Sequence, residues 1–234
     1  MKKTALLLSL LQFLVLVPLA AQTPADCTLC VGIVGTSGAE NGRVYNYARV
    51  AETDLGTLSP ARPADLTLVV DYAIDANSDT DKLLQVERHT DTILQWAKQH
   101  GTLDGLGVSV ANADPALAAY AVKRLAVSAQ GLDVAKRIVL PRSADLAALF
   151  ENGAQPYFDV LVVDAPDVAA SLAWLAERDP SKKIFAIVAI ESPNALFDLG
   201  KALAAGATRA FANGAANPAA LAQFNRGMTG DWAF

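Results

Sequence analysis

Two short, uninterrupted apolar runs constrain this chain most. FDVLVVD ends in a carboxylate at Asp164, and KIFAIVAIE ends in another at Glu191; a helix-like segment running to Asp179 separates them. Strands with one face in water alternate apolar and polar residues. Strands buried on both faces read as continuous apolar runs and belong to parallel sheets covered by helices. Comparable runs recur at Cys30–Gly35, Val44–Val50, LTLVVDY (with Asp71 near its end), GLGVSVAN, KRIVLP and TRAFANG. Helices are expected between most of them. Asp81–His100 carries a stripe of Leu83, Leu84, Glu87, Thr90, Ile93, Leu94 and Ala97, capped by Ser78 or Asp79 and stopped at Gly101. Further helices are expected over Pro115–Gln130, Ala144–Glu151, Val168–Glu177 and Ala195–Ala205. About eight strands, spaced by roughly 25–30 residues, predict an α/β fold closed as a (β/α)8 TIM-type barrel. No convincing eighth helix follows the last strand, so the barrel is expected to be incomplete at its C-terminus. The alternative is an open, doubly wound parallel sheet. In either architecture, sites form at the C-terminal ends of the strands.

The chain has 234 residues, enough for one such domain. It is 53% hydrophobic and 18% charged, which places it among globular proteins. A net charge of −5 with scattered Lys and Arg gives no footprint for nucleic acid. No glycine-rich phosphate loop follows a strand, so no nucleotide cofactor is expected, and no spacing of ligands predicts a metal. Residues 1–21 read as a secretory signal peptide: Lys2 and Lys3, the apolar stretch Ala5–Leu19, then the small pair Ala20 and Ala21. The expected product is an exported domain over 22–234, either complete or the N-terminal part of a longer protein. No later segment is long and apolar enough to span a bilayer, and nothing indicates an oligomeric state. Cys27 and Cys30 are the two cysteines, and in an exported chain they are expected to pair as a disulfide. CTLC precedes a strand, whereas redox chemistry favours a helix start.

HTDTILQWAKQHGTLDGLGVSVANADPALAAYAVKRLAVSAQ, ALFENGAQPYFDVLVVDAP, KKIFAIVAIESP and LGKALAAGATRAF, taken in order, resemble the central and C-terminal parts of clan A glycoside hydrolases. These are TIM-barrel retaining glycosidases of xylosidase- and iduronidase-like type. The resemblance covers about residues 88–212. It implies Glu191 as nucleophile and Asn112 as the Asn preceding the acid/base, but Ala113 stands where that acid/base Glu belongs. A retaining glycosidase needs two carboxyl groups about 5 Å apart. The resemblance therefore implies a carbohydrate-binding barrel with degenerate catalysis. One alternative is an active retaining glycosidase with a relocated acid, Asp71 or Asp164. Another is a non-catalytic structural or interaction domain of a larger exported protein.

Each candidate site residue has a plainer role beside it. Asp164 either faces the mouth as a catalytic carboxylate or caps a turn before Pro166. Asp71 either serves as the acid or joins a loop network with Tyr72 and Asp75. Arg142 binds an anionic group or pairs with Asp164. Asn112 contacts a ligand hydroxyl or closes a turn before Asp114 and Pro115. Asn213 ends the last strand and Trp232 lies in the tail; both are candidate substrate contacts, the indole by stacking on a sugar face. His89 and His100 read as surface residues, and Trp96 and Trp174 as core or shell.

Overall fold

The structure is a computed structural model that describes residues 31–34, 45–58, 66–132, 138–141, 146–189 and 192–213. Among the described residues there are eight strands: β1 (Val31–Val34), β2 (Tyr45–Ala51), β3 (Thr67–Ala73), β4 (Gly105–Ala111), β5 (Val139–Pro141), β6 (Val160–Asp164), β7 (Lys183–Ala189) and β8 (Arg209–Asn213). Five described helices alternate with the later strands: α1 (Lys82–His100), α2 (Pro115–Ala129), α3 (Leu146–Glu151), α4 (Val168–Ala176) and α5 (Ala195–Ala205). Between β2 and β3 the described connection is a 3-10 turn, Glu52–Thr57, in place of a helix.

All strand pairs are parallel, in the order β4-β3-β2-β1-β8-β7-β6-β5. First and last strands are neighbours, Gly32 pairing with Phe211. The two ends of that order, β4 and β5, meet through the isolated parallel bridge Leu106↔Ile138. A ring that joins β1 to β8 and β4 to β5 is a barrel of TIM type, and the open doubly wound alternative does not apply.

Period-2 alternation along parallel strands divides the apolar residues between two cores. Leu68, Val70, Leu106, Val108, Leu161 and Ile184 point outward against the helices. Tyr47, Val69, Val139, Val160, Val162, Phe185 and Phe211 form a separate cluster inside the ring. Tyr47 stacks on Phe211 with ring centroids 5.3 Å apart, and Phe185 meets Phe211 edge-on at 5.6 Å. The double burial is the reason these strands read as unbroken apolar runs. At the N-terminal end, Arg209 pairs with Asp104, which also accepts a hydrogen bond from Thr67 Oγ1 at 3.0 Å. The guanidinium lies 5.2 Å from the Phe185 ring centroid and closes the floor.

The β4–β5 seam depends on glycine. A Cβ on Gly107 would sit 1.8 Å from the Val139 carbonyl oxygen, and one on Gly105 would sit 2.8 Å from Val139 Cγ2. β4 thus gives the lower interior no side chain there, and Val139 occupies the space.

Helix ends follow local chemistry, with two departures from expectation. Asp81, rather than Ser78 or Asp79, caps α1; its carboxylate accepts from the Leu83 amide at 2.8 Å and from Leu84. The reason is Gln85, whose buried amide ties down the preceding loop. Its Nε2 donates to the Asp75 and Thr80 carbonyls, and its Oε1 accepts from the Asp75 amide. The buried face of α1 is also rotated: Gln85, Val86, Thr90, Ile93, Trp96 and Ala97 pack inward, while Leu83 and Leu84 are half exposed. Asp114 caps α2 ahead of Pro115, accepting from the Leu117 amide at 2.8 Å. Trp96 is buried and Trp174 packs against the outer core. The histidines are less free than a surface reading implies. His89 is half-buried, paired with Glu52 and stacked on Tyr72 at 4.4 Å; His100 stacks on Trp96. Among the described residues, no helix is long and apolar enough to cross a membrane.

Candidate functional site at the C-terminal mouth

The polar end of the ring lies opposite the Asp104–Arg209 floor. β2 carries Tyr47 and Arg49 on the interior-facing alternation, β3 carries Val69 and Asp71, and β4 carries Gly107 and Ser109. Each sequence places apolar or small residues deep and polar ones at the strand's C-terminal tip. Register then brings three tips together, since Ala51 pairs with Asp71 and Asp71 with Ser109. Arg49 Nε donates to both Asp71 oxygens, at 3.0 Å and 2.8 Å, and Arg49 Nη2 donates to Ser109 Oγ at 3.3 Å. The Arg49 side chain retains 48% of its accessible area and Asp71 37%. Hydrogen bonding to Asp71 is the main cause that holds the Arg49 pKa above its ordinary value.

Tyr47 lies beneath this pair, almost fully buried. Burial pushes its phenol up to about 12; Arg49 opposes the shift, and Asp71 and Asp164 add to it. Asp164 thus belongs to the same electrostatic environment although it rises from β6. It precedes the 3-10 turn Ala165–Asp167 without a side-chain capping bond, and its side chain is exposed at the rim.

Among the candidates read from sequence, Asp71 and Asp164 lie at this mouth. Asn112 sits just beyond β4 with φ 59°, a left-handed turn conformation that Asn tolerates, immediately before the α2 cap. Asn213 ends β8, in register with Ala189. Glu191, Arg142, Trp232, Cys27 and Cys30, together with the leader 1–21, lie outside the described residues. Sequence reasoning missed Arg49, Ser109 and Tyr47. Their signal was present as alternate positions of short strands, Tyr-x-Arg in YNYARVA and Gly-x-Gly-x-Ser in GLGVSVA. Among the described residues, no three His, Cys, Asp or Glu side chains gather as a metal site.

A small pocket adjoins the mouth, between β4, β5, α2 and α3. It holds about 80 Å³ and is lined by Ser109, Val110, Ala113, Val122, Leu140 and Leu149, among others. Ser109 therefore borders both the pocket and the Arg49 guanidinium.

No family model matches this chain, and no curated protein sequence matches it. Solved structures do. An oxaloacetate acetylhydrolase is 12% identical, with 88% of this chain and 82% of that one covered and a TM-score of 0.47. A 2,3-dimethylmalate lyase of the PEP mutase/isocitrate lyase superfamily is 11% identical over 85% and 81%, at 0.47. A protein assigned as an aldo-keto reductase from Pseudomona aeruginosa is 16% identical over 86% and 89%, at 0.48. None of these is a glycoside hydrolase, so the clan A resemblance and the carbohydrate-binding or glycosidase function drawn from it are corrected. The physical reason lies in what carried the resemblance. Helix–strand–helix units in a fixed order are what any (β/α)8 ring repeats, and the one diagnostic pair, Asn112 and Ala113, has no acid to offer.

Proposed function

We propose that the C-terminal mouth is a binding site for a small carboxylate or similar planar oxyanion, with Arg49 as the principal contact. The observation that carries this reading is the way Arg49 is held. Asp71 engages its Nε edge with both oxygens and Ser109 steadies Nη2, while nearly half of the side chain stays accessible. Among the described residues nothing else bonds to the remaining guanidinium N–H groups. A guanidinium fixed on one edge presents its other donors in a planar fork that matches a carboxylate. The partnership with Asp71 cancels the net charge, so selectivity rests on directed donors. Affinities on the order of millimolar are expected for small ions.

Titration of acetate, followed by NMR of the protein, tests this. Wild type should bind with saturation. Arg49→Lys keeps the charge but loses the fork, and should weaken binding at least about tenfold, as expected for one charge-assisted bond. Asp71→Asn should weaken it less, by loosening the guanidinium. Acetate binding unchanged in Arg49→Lys, or no saturable binding in wild type, refutes the reading.

A further inference from the structure

We infer that the ligand bound at Arg49 carries a short aliphatic chain, and that this chain enters the pocket at the β4–β5 seam. The inference rests on the reading of Arg49 as an anion contact, and it extends that reading to the rest of the ligand.

The seam explains why a pocket exists here. β4 and β5 are joined by the bridge Leu106↔Ile138, near the start of both strands. Beyond that bridge the strands run on to Ser109 and Pro141. Both interior-facing Ser109 and outward-facing Val110 and Leu140 then line one space. The pocket thus borders the ring at Ser109 and extends over Val110 and Leu140 to the helical layer. α2 closes it with Val122, α3 with Leu149, and Ala113 stands at the β4–α2 connection. Apart from Ser109, the side chains named here are hydrocarbon.

Size sets the class of occupant. The pocket measures about 80 Å³, roughly the share of three liquid waters. Polar atoms share the walls with these hydrocarbon side chains, so an alkyl chain gains apolar contact there in competition with water. Three to four carbons fit, and a ring or a long acyl chain does not. Ser109 supplies the link: its hydroxyl accepts from Arg49 Nη2, and the same residue lines the pocket. A carboxylate on the guanidinium fork therefore lies beside a residue that borders the pocket. The class is a short-chain carboxylate with its charged end at the mouth and its alkyl end in the seam.

The experiment is a homologous series of acetate, propionate, butyrate, valerate and hexanoate, titrated by NMR against the full chain. Each methylene that meets the pocket's hydrocarbon side chains should tighten binding by up to about fourfold, and the gain should stop after roughly three to four carbons. Ala113→Leu, which fills the pocket from the loop side, should make the gain stop at a shorter chain. Thermal melting and the amide spectrum establish that the variant is folded, and Ala118→Val fills the same pocket from α2 if it is not. Acetate binding with a flat series overturns the seam inference and leaves the Arg49 reading intact. No saturable binding by any member overturns both. A series that keeps tightening through hexanoate in wild type and Ala113→Leu alike also overturns it, because the chain must then lie elsewhere.

Discussion

Gly107→Ala tests the architecture at its tightest point. The added methyl would begin 1.8 Å from the Val139 carbonyl oxygen and 2.8 Å from its carbonyl carbon. Ordinary contact begins near 3.4 Å, so the backbone of β5 must withdraw by about 1.6 Å. No side-chain rotation relieves a clash with backbone. β5 is only three residues long and is held to β6 by Val139↔Val160, Leu140↔Leu161 and Pro141↔Val162, so it cannot move alone. Forced overpacking costs about 1–3 kcal/mol. Partial exposure of Val139, now buried inside the ring, adds about 1 kcal/mol. Reduced freedom of the unfolded chain returns about 0.4–1 kcal/mol. The net expectation is a loss of about 2 kcal/mol, or roughly 4–8 °C in melting temperature for a domain of this size. Urea denaturation measures it, with Gly200→Ala as the control. Gly200 lies inside α5 with nothing within 4 Å of the Cβ position, so alanine there should stabilise by about 0.8–1 kcal/mol. If Gly107→Ala is as stable as wild type, or moves in the same direction as Gly200→Ala, the close packing of β4 on β5 is wrong.

Three further perturbations address other joints. Gln85→Ala strips the partners from the Asp75 amide and from the Asp75 and Thr80 carbonyls, and should cost about 2–3 kcal/mol, with faster hydrogen exchange at Asp75; unchanged exchange there would mean that the loop is held by something else. The Asp179 carboxyl is held well below its usual range, first by the Ser181 hydroxyl and then by Gln155. A depressed folded value contributes stability that is complete above the unfolded value of about 3.9 and is lost as pH falls through the folded one. Asp179→Asn should therefore destabilise at pH 7, and the gap from wild type should shrink below about pH 4; a gap that stays constant to pH 2 contradicts this. Arg209→Met leaves Asp104 at the floor with only Thr67 as a described partner, and should cost about 2 kcal/mol. Adding Asp104→Asn should restore part of it, and simple additivity of the two changes would show that the ion pair is not coupled.

The sheet was legible because burial on both faces leaves a direct trace. LVVD, FAIVA and GLGVSV are continuous where a half-exposed strand would alternate, and each became a strand. Helix ends marked by local chemistry were equally readable, as at Pro115 and Gly101. What failed depended on contacts between distant residues. The α1 cap moved to Asp81 because Gln85, ten residues beyond Asp75, folds the loop back. Leu83 and Leu84 look like core residues but occupy the first turn, off the face set by Val86, Ile93 and Trp96. Asp71 was visible as a strand-end carboxylate, yet its partner Arg49 follows from a register that only strand pairing fixes. The family reading erred for the opposite reason: it gave weight to features that any ring of βα units must have.

Seven of the junctions between neighbouring strands among the described residues are hydrogen-bonded ladders; the one between β4 and β5 is a lone bridge. It also falls midway along the chain, with four strands on either side. Such a ring behaves like a bracelet with one clasp: both halves stay linked through β1 and β8 when it springs open. Solvent would then reach the interior sideways, without passing the polar rim. In deuterated water, the amides of Ser109 and Leu140 should exchange ahead of those along β1 and β8, with no global unfolding.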